Sequence, residues 1–145
     1  MDKRILWIED DYHAIKGLFR PLEQSGVRVE VTTSAVDAYE ATLARGKTYD
    51  LIVVDVILPL ANDDRSIPDM VKAWEEEEYL GLGLARWLAT KANVDCPILI
   101  LSVVQDPLTT YHLDSCNLKY SLCKSGLLPS VVKNEIFSIW GVEDE

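Results

Sequence analysis

Apolar and polar positions alternate along this chain in blocks. Short apolar runs fall at 5–8 (ILWI), 27–31 (VRVEV), 51–54 (LIVV) and 97–103 (PILILSV), with a weaker one at 118–123 (LKYSLC). The 51–54 and 97–103 runs are continuously apolar, as strands are when helices cover both sheet faces. Helical patterns lie between the runs. Ile15, Leu18, Phe19 and Leu22 recur at i, i+3, i+4 and i+7, and Gly26 follows as a stop. SAVD at 34–37 has the capping-box form and opens an alanine-rich helix that Gly46 closes. Asp106-Pro107 predicts an N-cap with proline in the first turn of a fourth helix. A last helix from about Pro129 buries Val132, Ile136 and Ile139 before Gly141. Strand and helix thus alternate five times, which predicts one domain over 1–145: a doubly wound α/β fold on a five-stranded parallel sheet.

One connection breaks the rhythm. From Pro59 to Cys96 the chain takes many more residues than one crossover helix needs. Residues 61–80 read as an insertion with a short helix of its own, where Ser66 caps and Asp69 answers it. Met70 and Trp74 give it an apolar contact stripe, and Glu75–Glu78 a solvated face. A lid, a dimer arm or a specificity element fits this segment as well as simple packing on the next helix, GLGLARWLATK at 81–91.

Composition narrows the classes. Hydrophobic residues make up 48% of the 145, enough for a single globular core. The net charge is −10 and no basic cluster exceeds Lys3-Arg4, which argues against nucleic acid or an anionic membrane as partner. The N-terminus reaches acids after four apolar residues, too few for a signal peptide, and no apolar stretch is long enough to span a bilayer, so a cytoplasmic location is expected. Cys96, Cys116 and Cys123 form no CxxC and read as reduced, mostly buried thiols. His13 and His112 have no cysteine at zinc-ligand spacing and read as surface residues.

The polar residues that interrupt this pattern fall at predicted strand ends, where open parallel sheets bind ligands. The first strand ends in Glu9, Asp10 and Asp11, the third near Asp55, the fourth in Ser102 and the fifth in Lys124. Singly, each has a structural explanation: acids suit a helix N-terminus, and a lysine pairs with any acid. Jointly they gather carboxylates, a hydroxyl and an ammonium at one rim. Crowded carboxylates repel unless a cation neutralises them, and Mg²⁺, which keeps waters and accepts a phosphoryl oxygen, suits such a set. The constellation fits phosphoryl chemistry with a carboxylate nucleophile.

On these residues the sequence resembles the receiver domain of bacterial two-component response regulators. RILWIEDD is similar to the first strand and acidic pair, at Glu9 and Asp10. The stretch from SAVDAYEA to DLIVVDVILP is similar to the second helix and third strand. GLGLARWLA resembles the start of the third helix, and PILILSV and LCKSG carry the hydroxyl and the lysine. The resemblance covers nearly the whole chain except 61–80. It implies a flavodoxin-like receiver fold, Asp55 as phosphoacceptor, and Mg²⁺ held by Glu9, Asp10, Asp55 and the backbone carbonyl of Ile57. Ser102 and Lys124 would contact the phosphoryl group. Implied partners are a sensor histidine kinase or phosphotransfer protein and a downstream protein target reached without an attached output domain, with a homodimer as an alternative. The implied role is signalling, with no catalysis beyond the domain's own phosphoryl transfer and autodephosphorylation.

The family usually has a small residue after the hydroxyl, here Val103, and proline after the lysine, here Ser125. Its switch aromatic falls at Ser121, with Tyr120 one place earlier, and asparagine at 117 stands where glycine is common. Ile57 and Val104 flank the site without a polar group to position water, so slow autodephosphorylation is expected. A phosphorylation-independent receiver-like module is the second reading. A haloacid-dehalogenase-type phosphatase would want DxD after the first strand, which IEDDYHA does not supply.

Overall fold

The computed structural model describes residues 2–45, 48–56, 80–92 and 94–143. The strands are β1 (Arg4–Ile8), β2 (Arg28–Thr32), β3 (Leu51–Asp55), β4 (Ile98–Ser102) and β5 (Tyr120–Cys123). The helices are α1 (Tyr12–Gln24), α2 (Ala35–Arg45), α3 (Leu80–Thr90), α4 (Pro107–Thr110) and α5 (Pro129–Trp140), with a 3₁₀ turn at Leu113–Cys116. The strands form one parallel sheet in the order β2-β1-β3-β4-β5. The expected doubly wound α/β architecture is therefore present, with β1 next to β3 and the order reversing between them, the point at which such sheets open a crevice.

Strict alternation along the strands builds two cores. Leu6, Ile8, Ile52, Val54 and Ile100 pack with α2 and α3 on one face. Ile5, Trp7, Leu51, Val53, Leu99 and Leu101 pack with Ile15, Phe19 and Leu22 of α1 and with Val132, Ile136 and Phe137 of α5 on the other. The central strands are buried on both sides, which is why β3 and β4 read as unbroken apolar runs.

Most local signals act as their chemistry dictates. The Asp11 side chain caps α1 by accepting from the Ala14 N–H at 3.2 Å, and Ser34 Oγ accepts from the Asp37 N–H at 3.2 Å at the head of α2. Asp106 caps α4 through the Thr109 N–H, and Gly141, at φ 69°, ends α5 in the left-handed conformation that favours glycine.

The fourth helix is the exception. It lasts one turn, because the β-branched Thr109-Thr110 pair is followed by His112 at φ 56°, which no right-handed helix contains. Asn117, also left-handed at φ 65°, turns the chain into β5.

Cys96, Cys116 and Cys123 are free and half-buried, and burial pushes the Cys96 thiol up to about 11. His13 and His112 are exposed. No helix among the described residues is long and apolar enough to cross a membrane. Gly46, Ile57, Pro59 and all of the 61–80 segment but Leu80, including Met70, Trp74 and Glu75–Glu78, lie outside the described residues. Leu80 is the first residue of α3.

Candidate functional site

Register alone brings the acids together. Ile8 pairs with Val54, so the next residue of each strand, Glu9 and Asp55, fall side by side where β1 and β3 end. Both continue the parity of Trp7 and Val53. On β5, Lys124 continues the parity of Leu122, and its N–H donates to the Ser102 carbonyl at 2.8 Å. Glu9, Asp55 and Lys124 therefore share the α1/α5 side of the rim, whereas Ser102 continues Ile98 and Ile100 on the α2/α3 side.

The side chains close this arrangement. Lys124 Nζ donates to Glu9 Oε2 at 2.9 Å and to Asp55 Oδ2 at 3.0 Å. Glu9 and Asp55 are almost fully buried, 1% and 4% exposed, while Asp10 is exposed beside them. One oxygen from each of Glu9, Asp10 and Asp55 lies within 4.8 Å of the others. Ser102 is buried, and its Oγ accepts from the Val104 N–H at 2.9 Å, leaving its own O–H free to donate elsewhere. These groups line a cavity of about 410 Å³ whose remaining wall includes Asp11, Val103, Val104 and Tyr111. Asp11, read as a strand-end acid, is engaged in capping α1.

At the rim the Lys124 ammonium lies between two buried carboxylates, Glu9 and Asp55. Burial pushes the Glu9 carboxyl up to about 8, helped by its hydrogen bond and repulsion with Asp55 and opposed by Lys124. Burial pulls Lys124 down, but Glu9 and Asp55 outweigh it and hold the ammonium above its ordinary value. At neutral pH the repulsion between Glu9 and Asp55 is relieved by a proton on Glu9 or by a cation.

A pH dependence follows. A carboxyl whose folded value lies above its unfolded one contributes stability that is full below about 4.5 and gone above about 8. In EDTA, urea denaturation should show stability falling across that window by an amount on the order of a few kcal/mol. Glu9→Gln should flatten that fall; an identical pH slope in the variant would refute the assignment.

Not every residue singled out in the sequence reaches the site. Tyr120 packs on the α1/α5 core at the start of β5, and Ser121, paired with Ile100, takes the opposite face. Two residues of the site gave no motif. Tyr111 carried no signal because the loop that delivers it is irregular. Gly81 was visible only as part of a helix pattern, yet its N–H donates to the Val56 carbonyl at 2.9 Å, and a Cβ there would overlap the Asp55 carbonyl oxygen and come within 2.6 Å of that of Val56. Only glycine lets α3 start against the end of β3.

No protein-family profile matches the chain, and no curated protein does. Solved structures do. The receiver domain of HemR from Leptospira biflexa, non-phosphorylated, is 22% identical with a TM-score of 0.70, over 99% of this chain and 98% of that one. The chemotaxis response regulator CheY4 of Vibrio cholerae is 17% identical with a TM-score of 0.69, over 96% and 99%. The DrrB receiver domain, activated by BeF₃, is 16% identical with a TM-score of 0.67, over 97% and 99%; DrrB is a Thermotoga maritima protein. The chain has the fold of response-regulator receiver domains.

Proposed function

We propose that this protein is a phosphoacceptor receiver of a two-component relay, in which a histidine kinase or phosphotransfer protein phosphorylates Asp55 and the product alters a contact with a downstream protein. The observation that carries the reading is the Lys124 ammonium, 2.9 Å from Glu9 and 3.0 Å from Asp55, in a cavity shared with Ser102. On this reading Asp55, buried at the end of β3, is the nucleophile of the domain's own phosphoryl transfer.

In the transfer, an Asp55 carboxylate oxygen bonds to the phosphorus of an N-phosphorylated imidazole. The P–N bond breaks, and the imidazole leaves with its electron pair and takes up a proton. Lys124 stabilises the charge on the phosphoryl oxygens, and the Ser102 hydroxyl donates to one of them. The donor set of Glu9, Asp10 and Asp55 is all oxygen and within reach of one ion, which fits Mg²⁺, with the Ile57 carbonyl assigned as a further ligand by resemblance. Bound there, Mg²⁺ supplies charge neutralisation and Lewis acidity toward the phosphoryl oxygens. Movement of the Ser102–Val104 turn toward the phosphoryl group then biases the crossover that leads to β5.

We also propose that 61–80 is an insertion within this single domain: β3 ends at Asp55 and α3 begins at Leu80, and the Gly81 N–H donates to the Val56 carbonyl at 2.9 Å, so the two ends of the intervening segment meet. Its Met70 and Trp74 are proposed contact residues. With a net charge of −10, a protein partner is preferred over nucleic acid or membrane, and a cytoplasmic setting and a homodimer accord with the reading.

Beryllofluoride with Mg²⁺ mimics the aspartyl phosphate and should shift the amide signals of Val56, Ser102, Val104 and Lys124. An unchanged spectrum would refute the reading. Ser121, in place of a strand aromatic, favours the second reading, a phosphorylation-independent module; partner binding that is equal with and without beryllofluoride would establish that one instead.

A further inference from the structure

The site receives no aromatic from β5, because alternation sends Tyr120 to the α1/α5 core and puts Ser121 on the opposite face. An aromatic reaches that opposite side from another element. Tyr111, just after α4, is half-buried, packs against the α2/α3 core and lines the cavity with Asp55, Ser102, Val104 and Lys124. Its backbone is held from outside the loop: Arg86 of α3 donates through Nη2 to the Tyr111 carbonyl and through Nη1 to Cys116 Sγ, each at 3.4 Å. Arg86 thus grips the crossover on both sides of the left-handed turn at His112. Val104, whose N–H donates to Ser102 Oγ, is the apolar neighbour that completes this wall.

We propose that Tyr111 is a positioning residue that closes the phosphoryl pocket and keeps water from the aspartyl phosphate, and that Arg86 fixes it in place. The inference deepens the receiver reading and rests on it. In the hydrolysis that Tyr111 restrains, a water oxygen bonds to phosphorus while the P–O bond to Asp55 breaks. Asp55 leaves as carboxylate, and the water's protons pass to the released phosphate and solvent. The Val104 side chain offers no base for that water, so the rate is set by how freely water enters. Ring bulk, not the phenol hydroxyl, is what the wall requires.

The test uses wild type, Tyr111→Ala, Tyr111→Phe and Arg86→Met, each phosphorylated with phosphoramidate and Mg²⁺, desalted, and followed by intact mass. Tyr111→Ala should lose its phosphoryl group about fivefold faster or more, Tyr111→Phe at the wild-type rate within about twofold, and Arg86→Met in between. Decay of Tyr111→Ala at or below the wild-type rate overturns the proposal. So does a Tyr111→Phe rate equal to that of Tyr111→Ala, which would assign the effect to the hydroxyl. If Tyr111→Ala loses its circular dichroism signature, Tyr111→Leu and Arg86→Met decide by the same criterion, faster decay in support and unchanged decay against. A wild type that accepts no phosphoryl group overturns the receiver reading and this inference together; labelled wild type with an unaltered Tyr111 series overturns the inference alone.

Discussion

Asp55→Asn is expected to abolish phosphorylation and, at the same time, to make the metal-free protein more stable. The amide cannot act as the carboxylate nucleophile, so labelling by phosphoramidate and Mg²⁺ should fall ~100-fold or more, to background by intact mass. The stability gain comes from the same atoms. Glu9 and Asp55 are both nearly fully buried and both bond to the Lys124 ammonium, so removing one negative charge relieves the repulsion between the two carboxylates. A gain on the order of 1 kcal/mol at pH 8 in EDTA is expected, shrinking toward pH 5 as Glu9 takes up its proton. Labelling that survives in Asp55→Asn would move the acceptor elsewhere. A variant that is less stable than wild type at pH 8 would show that Lys124 needs both acids.

Gly81→Ala is the substitution expected to damage the fold most for its size. A single methyl would meet two backbone carbonyl oxygens, those of Asp55 and Val56, and neither can rotate away. Either α3 retreats from the sheet or the end of β3 bends; both disturb a core that includes Leu80, Leu84 and Leu88. A loss of roughly 2–4 kcal/mol is expected from denaturant unfolding, well above that of an exposed helical Gly→Ala change, which is stabilising. Gly17 in α1 is the internal control. Nothing lies within 4 Å of a Cβ there, so Gly17→Ala should hold or raise stability. Because the clash involves the backbone of Asp55, folded Gly81→Ala should also show a weaker response to beryllofluoride. Equal stability of the two alanine variants would refute the close approach.

The sequence determined the elements and the chemistry available at their ends. Period-two and period-3.6 patterns, the caps at Ser34 and Asp106 and the stop at Gly141 are local signals, decided within a few residues, and each is used in the structure. The same logic made Glu9, Asp10, Asp55, Ser102 and Lys124 visible, since an ionisable or hydroxyl group ending an apolar run costs too much to bury without a purpose.

Tertiary structure decided what those groups do to one another. That Lys124 reaches Glu9, 115 residues away, and Asp55, 69 residues away, at once depends on the β1–β3 register and on β5 pairing with β4, which the whole sheet sets. Burial of both acids, and the upward push it gives the Glu9 carboxyl, is a property of the packed rim and not of any sequence neighbour. The glycine at 81 and the tyrosine at 111 matter only because distant backbone and an arginine from another helix come to meet them. Local patterns are governed by contacts a turn or two apart, which the sequence displays; a site is governed by contacts across strands, which exist only once the chain has closed on itself.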